Sequence, residues 1–332
     1  MFGVKTWRAL RRRGVMGINQ RNGDYVLRYN DRRLYPLVDD KIRTKKLALD
    51  AGIRAPDMYG IIETEQGIGK VAEIVETHGD FVIKPSQGAG GDGIMVISDR
   101  FEGYYRTVSG RMVSPEEMEF HISGIISGIY SLGGHRDRAL IEYRVRSTDL
   151  FDRISIGGVP DVRIIVLKGY PVFAMLRLPT RQSDGKANLH QGAIGVGVDI
   201  ATGVTLAGTW HNLKIDRHPD TAHPVAGVTI PDWEECLALA ARCYDLTGLG
   251  YLGVDLVLDK HKGPMMLELN ARPGLNIQIA NDDGLLRRCG IVERHLEQRG
   301  KDEGEELVAQ RVLFSKRHFA VATPEPPDTA TE

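Results

Sequence analysis

The sequence predicts an α+β protein in which helices pack on mostly antiparallel sheets. Strand-like and helix-like segments alternate, several strands follow one another through short turns, and few connections have the length of a parallel crossover. The 332 residues suffice for two or three subdomains with a sizeable core.

The first half of the chain contains a helix, a short strand and a second helix. Asp39 and Asp40 precede a helical run that starts at Lys41, and Gly52 supplies its stop. Residues 81–84 are typical of a buried strand. A capping box with proline at the first helical position predicts a helix start at 114–117. Apolar residues at helical spacing predict a buried face on that helix: Met118, Ile122, Ile125, Ile126 and Ile129.

The second half contains more strands. Residues 139–145, 162–167 and 172–178 are strand-like, and the last two pair through a turn at 168–170. Asp232 with Glu235 predicts a capping box, and Gly248 ends the helix that follows. Residues 254–258 and 265–269 form a hairpin around 260–263. We expect a short N-terminal segment (1–38), a smaller subdomain (39–138), a larger subdomain (139–300) and a C-terminal segment (301–332).

Composition excludes several classes of function. A content of 42% hydrophobic and 26% charged residues is ordinary for a globular enzyme. Because the net charge is −1, no overall positive potential favours binding to nucleic acid. Three cysteines without metal-type spacing argue against a disulfide framework and a zinc site, and fit a reducing cytoplasm. No apolar run approaches the roughly 20 residues that span a bilayer.

The two ends of the chain differ in character. Residues 1–13 are basic, carry Phe2, Val4, Trp7 and Leu10, and lack the apolar core of a signal peptide. This segment either packs on the body of the protein, which we favour, or docks on a membrane surface or a partner. Residues 323–332 are rich in Pro, Thr and acidic residues, which predicts a disordered tail.

A lysine and a glycine-rich segment form the first candidate site. Lys84 ends a strand and is followed by Gly88, Gly90, Gly91 and Gly93, which permit positive φ and a close approach of the backbone to a ligand. Successive N–H groups in such a loop bind anions. The spacing matches neither a Walker loop nor the dinucleotide fingerprint. By itself the segment is either a turn or a nucleotide site.

Acidic residues near position 260 form the second candidate site. Glu268 and Asn270 project from the same face of a strand, and Asp255 on the neighbouring strand reaches that face. Two carboxylates about 4 Å apart repel by roughly 4 kcal/mol at an effective dielectric of 20, so either one is protonated or a cation lies between them. Oxygen ligands near phosphates select Mg²⁺. The alternative is an exposed acidic face. Arg272 follows the second strand of this hairpin. Its guanidinium either binds a substrate carboxylate or an acyl phosphate, or belongs to an ordinary surface arginine.

These motifs, in their order along the chain, resemble the ATP-grasp superfamily and, within it, the RimK-like α-L-glutamate ligases. The resemblance covers roughly residues 40–279. The segments that carry it are Asp40-Lys41-Ile42-Arg43-Thr44-Lys45-Lys46-Leu47-Ala48, residues 81–93, Leu140-Ile141-Glu142-Tyr143, Asp161-Val162-Arg163, residues 186–192, Gly253-Val254-Asp255-Leu256 and residues 267–275.

The resemblance implies an ATP-grasp fold, with two α/β subdomains clasping ATP and a reduced N-terminal region of about forty residues. It implies that Mg²⁺, for which Mn²⁺ is a substitute, is held by Asp255, Glu268 and Asn270. It places Arg163, Arg272 and His190 at the reacting groups. The nucleotide-binding residues that it implies are Lys41, Lys84, Gly88, Gly90, Gly91, Gly93, Glu142, Tyr143, Asp161, Lys186 and Asn188.

The implied activity is that of an ATP- and Mg²⁺-dependent carboxylate–amine ligase acting through an acyl phosphate. The amine is glutamate or another amino acid, and the acid is a peptide or a small molecule. Two alternatives stay open: an ATP-grasp kinase for a small molecule, and a module that binds MgATP without turnover. No nucleic-acid partner is implied, and the sequence leaves the oligomeric state open, with a homo-oligomer as the common default.

Overall fold

The computed structural model describes residues 8–88, 90–299 and 306–321. The expectations for Phe2, Val4 and Trp7 and for the tail at 323–332 therefore lie outside the described residues, as does Ala89 in the glycine-rich segment. Two antiparallel sheets with packed helices form the structure, which confirms the predicted α+β class.

The smaller sheet contains strands from the first part of the chain. They are β1 (Met58–Ile62), β2 (Phe81–Pro85), β3 (Met95–Phe101), β4 (Tyr104–Thr107), β5 (Met112–Val113) and β6 (Ala139–Glu142). The strand order is β1-β6-β2-β3-β4-β5, with every neighbouring pair antiparallel. Because β6 pairs with β1 and β2, we now propose the subdomain boundary after Glu142 rather than before Ala139.

The larger sheet contains the remaining strands. They are β7 (Asp161–Leu167), β8 (Tyr170–Leu178), β9 (Ile194–Val198), β10 (Thr205–Trp210), β11 (Leu213–Ile215), β12 (Tyr251–Asp259) and β13 (Gly263–Asn270). Their order is β11-β10-β9-β8-β7-β12-β13, again antiparallel throughout. The strands predicted at 162–167 and 172–178 and the hairpin around 260–263 are confirmed.

Helices cover both sheets. Residues 18–29 form one helix, α1, in which Arg21–Val26 has π-helical hydrogen bonding. The other helices are α2 (Pro36–Asp39), α3 (Lys41–Asp50), α4 (Val71–Ile74), α5 (Pro115–Ile126), α6 (Asp149–Ile154), α7 (Trp233–Thr247), α8 (Ile277–Ala280), α9 (Leu285–Arg299) and α10 (Val308–His318). Short 3₁₀ turns occupy Arg32–Leu34, Glu65–Lys70, Leu132–Gly134 and Leu189–Gln191.

Each sheet has its own hydrophobic core. In the smaller subdomain, Phe81 and Ile83 of β2 pack with Met118 and Ile122 of α5. In the larger subdomain, the buried side chains of β7, β8 and β12 pack on α7, α9 and α10. No helix among the described residues combines the length and the apolar character needed to cross a bilayer.

Two local predictions are wrong. The predicted capping box of α5 is present, but the helix ends at Ile126 and the chain turns at Gly128 (φ 89°), so Ile129 is 72% exposed rather than buried. The second predicted capping box does not form, because Asp232 adopts a left-handed conformation (φ 51°) and its side chain caps nothing. Glu235 pairs with Arg54 instead.

The N-terminal residues join the larger subdomain through specific hydrogen bonds. The backbone of Met16 bonds Gln278 in both directions, at 2.8 and 3.1 Å. The Asn30 amide bonds both backbone groups of Tyr251, at 2.7 and 2.8 Å, and the carbonyl oxygen of Ala271 at 3.0 Å. The expectation of packing on the body concerns residues 1–13; of these the structure describes 8–13, which are largely exposed, and buried side chains begin after them.

Candidate active site

Charged side chains lie in a row across one face of the larger sheet. Asp255 on β12 stands opposite Glu268 on β13 and opposite Arg163 on β7. Asp161, two residues before Arg163, stands opposite Arg177 on β8. Because alternate residues of a strand project to the same side, these side chains share one face. We call Asp161, Arg163, Arg177, Asp255 and Glu268 the charged row.

The middle of the charged row is a buried ion-pair network. Arg163 donates from Nε and Nη2 to the two Asp255 oxygens, at 2.7 and 2.5 Å, and Arg177 donates to Asp255 Oδ2 at 2.8 Å. Arg177 also pairs with both oxygens of Asp161. Burial alone would raise the pKa of the Asp255 carboxyl, but the two guanidinium groups lower it to about 2. Asp255 is therefore an anion at neutral pH.

Glu268 and the nearby Asn270, both on β13, do not take part in this ion-pair network. Within the described residues, Glu268 makes no side-chain hydrogen bond or ion pair. Asn270 Oδ1 accepts from the backbone N–H of Arg272 at 2.9 Å, which leaves lone pairs on the amide oxygen. A β-bulge at Leu267 separates Glu268 from the regular pairing below it.

The oxygen donors of Asp255, Glu268 and Asn270 suit a hard divalent cation. Two carboxylates and an amide on paired strands form the donor set that Mg²⁺ prefers beside phosphate oxygens. The described residues contain no group of three or more His, Cys, Asp or Glu that could hold a metal ion. This finding does not bear on the predicted triad, which has only two such residues. The triad stays a prediction.

Two lysines share one buried carboxylate in the smaller subdomain. Lys84 Nζ of β2 lies 2.6 Å from Glu142 Oε1 of β6, and Lys45 of α3 pairs with the other oxygen. The three side chains are between 1% and 6% exposed. Burial lowers the pKa of Lys45 to about 8; the negative charge of Glu142 opposes this shift and the positive charge of Lys84 adds to it. Both oxygens of Glu142 accept from lysines and hold Lys84 in place, and the implied contact of Glu142 with the nucleotide stays a prediction.

Lys41 connects the smaller sheet to the charged row. Its ammonium group donates to the carbonyl oxygen of Gly88 at 2.5 Å. Burial lowers the pKa of Lys41, and the largest opposing effect is the negative charge of Glu268. The helix that begins at Lys41 also packs on β13. Lys41 is therefore near both the glycine-rich segment and the acidic hairpin.

The glycine-rich segment also contacts the loop at 186–192. Lys186 Nζ pairs with Asp92 at 3.0 Å. A Cβ atom built on Gly90 would lie 3.7 Å from the side-chain nitrogen of Asn188. Asn188 Oδ1 accepts from the backbone N–H of His190 at 3.0 Å, and the His190 side chain is exposed. Lys186 and Asn188 thus lie beside the glycine-rich segment, whereas the exposed side chain of His190 makes no contact with the described residues that supports its implied role.

Positive φ angles occur at three of the four glycines predicted to adopt them. Gly90, Gly91 and Gly93 have φ angles of 69°, 83° and 74°, but Gly88 does not. A Cβ atom on Gly93 would lie 2.5 to 2.9 Å from the Tyr130 ring, so the chain needs glycine there for space as well as for conformation. His121 Nε2 lies 3.0 Å from the Gly93 carbonyl oxygen and fixes the same end of the segment.

Tyr143 and Arg272 have different surroundings. The Tyr143 hydroxyl donates to Asp259 at 3.0 Å, and its ring joins Val145, Val257 and Met265 in a small apolar cluster. Such a cluster suits the flat face of a base. Arg272 is exposed, its guanidinium lies 4.7 Å from the centre of the Tyr35 ring, and its backbone N–H donates to Asn270 Oδ1.

Sequence reasoning missed Arg177 and Lys45 as members of the site. Counting outward from the turn at Lys168 and Gly169 would pair Asp161 with Leu176, but a bulge at Val172 shifts the register by one residue and places Arg177 opposite Asp161. Lys45 stands four residues after Lys41 on α3, and therefore on the same face of the helix. The signal for Lys45 is present in the sequence, whereas the bulge that brings in Arg177 has none.

Comparison with known proteins identifies the family. The model of the sugar-transfer associated ATP-grasp family matches residues 20–294, and the chain belongs to this family. The predicted superfamily and fold are thereby confirmed. The match is not to a RimK-like glutamate ligase model, so that finer assignment stays a prediction. No protein of curated function matches the chain.

Solved structures of ATP-grasp ligases are similar at low identity. ATP-grasp ligase PsnB complexed with minimal precursor is 16% identical, over 81% of this chain and 64% of that one, with a TM-score of 0.45. D-cycloserine synthetase DcsG is 15% identical, over 79% and 72%, with a TM-score of 0.47. D-alanine–D-alanine ligase from Bacillus anthracis complexed with ATP is 14% identical, over 81% and 68%, with a TM-score of 0.43. The chain spans less than two thirds of the PsnB structures it matches, so substrates and partners are matters for proposal.

Proposed function

We propose that this member of the sugar-transfer associated ATP-grasp family spends MgATP to activate a carboxylate and join it to an amine. The observation that carries the proposal is the position of Lys41. Its ammonium group bonds Gly88 in the glycine-rich segment and lies close enough to Glu268 for that charge to act on its pKa. Cations for a polyphosphate and oxygen donors for Mg²⁺ thus line the same cleft.

In this proposal the lysines and the glycine-rich segment hold the triphosphate. Lys84 is buried at the cleft and Glu142 fixes its ammonium group. The N–H groups of the segment that contains Gly90 and Gly91 approach phosphate oxygens without a side chain in the way. Tyr143 and the apolar cluster at Val145 receive the base. Lid closure over the segment excludes water, which would otherwise hydrolyse an activated acyl group.

The charged row would act on the reacting phosphoryl group. Bound Mg²⁺ would supply positive charge to the phosphate oxygens, held by Asp255, Glu268 and Asn270. Nη1 of Arg163 makes no hydrogen bond within the described residues, because its bonds to Asp255 use Nε and Nη2. This group is free to donate to a phosphoryl oxygen. Asp255 therefore both neutralises and orients Arg163.

The proposed chemistry has two steps. An oxygen of the substrate carboxylate forms a bond to the γ-phosphorus in line, the bond to the ADP oxygen breaks, and an acyl phosphate results. The amine then attacks the acyl carbon, loses a proton, and inorganic phosphate leaves. Positioning of this kind supplies about 7–11 kcal/mol of barrier reduction without a protein nucleophile. The finer assignments that we propose are glutamate or another amino acid as amine, a peptide or small acid as acceptor, Mn²⁺ as substitute ion and the cytoplasm as location.

A product screen tests this function. Purified protein is incubated with MgATP and candidate carboxylates, each with and without an amino acid, and ADP release and product mass are measured. A ligase releases ADP only when both substrates are present and forms an amide. ADP release with a single acceptor and a phosphorylated product would identify a kinase instead. Binding of MgATP without ADP release in any combination would support a non-catalytic module.

A further inference from the structure

Positive charge is concentrated at the start of the chain. The first 35 residues contain one lysine and eight arginines against two aspartates, a net charge of +7. The whole chain has a net charge of −1, so residues 36–332 carry a net −8. Among the described cations of this segment only Arg21 is buried, and it donates to the carbonyl oxygens of Arg272 and Pro273.

Contacts with α9 gather several of these arginines on one surface. Leu286 N donates to the carbonyl oxygen of Gly14 at 3.0 Å, and Arg287 Nη2 donates to that of Arg12 at 3.4 Å. Farther along α9, Glu293 pairs with Arg28 at 3.2 Å. The segment 8–29 therefore lies along α9.

We define the N-terminal basic face as Arg8, Arg12, Arg28, Arg287 and Arg294. All five side chains are exposed. Arg8 and Arg12 are four residues apart on a helical turn and therefore project from the same side. Arg287 and Arg294 are seven residues apart on α9, about two turns, and share one side of that helix. Within the described residues only Arg28 of the five has an acidic partner.

Exposed aliphatic side chains occur on the same segment. Leu10, Ile18 and Leu27 are 45%, 55% and 58% exposed. The residues of α1 that face the protein are instead Tyr25, Val26 and the aliphatic part of Arg21. Aliphatic side chains between arginines suit the boundary between lipid headgroups and acyl chains. Binding of single-stranded nucleic acid uses exposed aromatic side chains for stacking, which this face does not show among the described residues.

We propose that the N-terminal basic face docks the protein on an anionic lipid surface. Each arginine near such a surface is attracted to the anionic headgroups, and shallow insertion of Leu10, Ile18 and Leu27 adds an apolar component. The acidic remainder of the chain is repelled by the same lipids, so the asymmetry of charge sets the orientation. This docking is independent of the proposed ligase activity.

Vesicle sedimentation tests the proposal. The full chain is mixed with vesicles of phosphatidylcholine alone or of phosphatidylcholine with phosphatidylglycerol, at low and at physiological salt. We expect binding to the anionic vesicles only, weaker at the higher salt concentration. Arg12→Glu combined with Arg287→Glu should weaken binding roughly thirtyfold or more. Leu10→Ser combined with Leu27→Ser should also weaken it, with an unchanged salt dependence.

A matched control has the same change of charge elsewhere. Arg136→Glu with Arg153→Glu alters two exposed arginines outside the first 35 residues and should leave vesicle binding within about twofold. Far-UV circular dichroism confirms that each variant is folded. Equal sedimentation with neutral and anionic vesicles would overturn the proposal, as would an equal loss of binding in the control. Retention on a heparin matrix without any vesicle binding would also overturn it, in favour of a soluble polyanion.

Discussion

Asp255 and Arg163 stand opposite each other on β12 and β7 and are joined by two hydrogen bonds of 2.7 and 2.5 Å. Glu268 occupies the paired position on the other side of Asp255 and has no partner of this kind within the described residues. The two carboxylates are proposed to bind the same ion, but only Asp255 belongs to an ion-pair network of the fold. Substitution of either residue should therefore abolish activity, whereas only substitution of Asp255 should lower the stability of the protein.

Glu268→Gln should abolish ADP release and change the free energy of unfolding by less than about 1 kcal/mol, because no ion pair is lost. Enzyme assay and urea denaturation measure the two effects. Glu119→Gln, on the exposed side of α5, is the control and should change neither. Full activity of Glu268→Gln would remove this residue from the metal site.

Asp255→Asn should abolish ADP release and also destabilise the protein by about 3–5 kcal/mol. The reason is that Arg163 loses its acidic partner and Arg177 keeps only Asp161, so a buried positive charge is left uncompensated. Urea denaturation of Asp255→Asn and of Glu268→Gln measures the difference in their free energies of unfolding. Equal stability of the two variants would contradict the ion-pair network.

Lys84→Met should weaken the binding of a non-hydrolysable ATP analogue about tenfold or more, since a charged contact to phosphate contributes about 1.5–3 kcal/mol. The fold should tolerate the change, because Glu142 keeps Lys45 as partner and the buried charges then balance. Titration calorimetry measures the dissociation constant. Lys214→Met, at an exposed position on β11, serves as control. An unchanged affinity would exclude Lys84 from the nucleotide site.

Lys45 makes the stability of the protein depend on alkaline pH. Its pKa is about 8 in the fold, below the usual value near 10.4, so between these pH values the unfolded chain binds more protons than the native one. The free energy of unfolding therefore increases as pH rises, and Lys45 contributes about 3 kcal/mol to the total increase. The difference between wild type and Lys45→Met should rise accordingly between pH 8 and pH 10.5. A difference that stays flat would show that Lys45 titrates normally.

Local patterns in the sequence predicted the parts of the site that depend on local structure. The hairpin of β12 and β13 follows from its turn, although counting from the turn alone pairs Asp255 with Leu267, and the bulge at Leu267 is what places Glu268 opposite Asp255. The capping box at Ser114 fixes the start of α5. The strand at Phe81 and the glycine-rich segment behind it are likewise set by neighbouring residues.

Contacts between distant strands could not be predicted in this way. The pairing of β12 with β7 places Arg163 against Asp255, and no local signal sets that register. Glu142 pairs with Lys45 and Lys84, which come from two other elements, and no local signal in the sequence indicates these ion pairs. At Asp232 the local sequence predicts a capping box that does not form. Its second member, Glu235, pairs with Arg54 instead.

The charge of the proposed catalytic face has a consequence for the order in which substrates arrive. Two aspartates and two arginines cancel one another in the charged row, so the row as a whole presents a single excess negative charge, that of Glu268. A lone divalent ion gains little from such a surface. In the proposed function, a nucleotide that already carries its ion would present anionic oxygens to Lys41 and Lys84 and the ion to Glu268 together, so we expect nucleotide and ion to bind as one body.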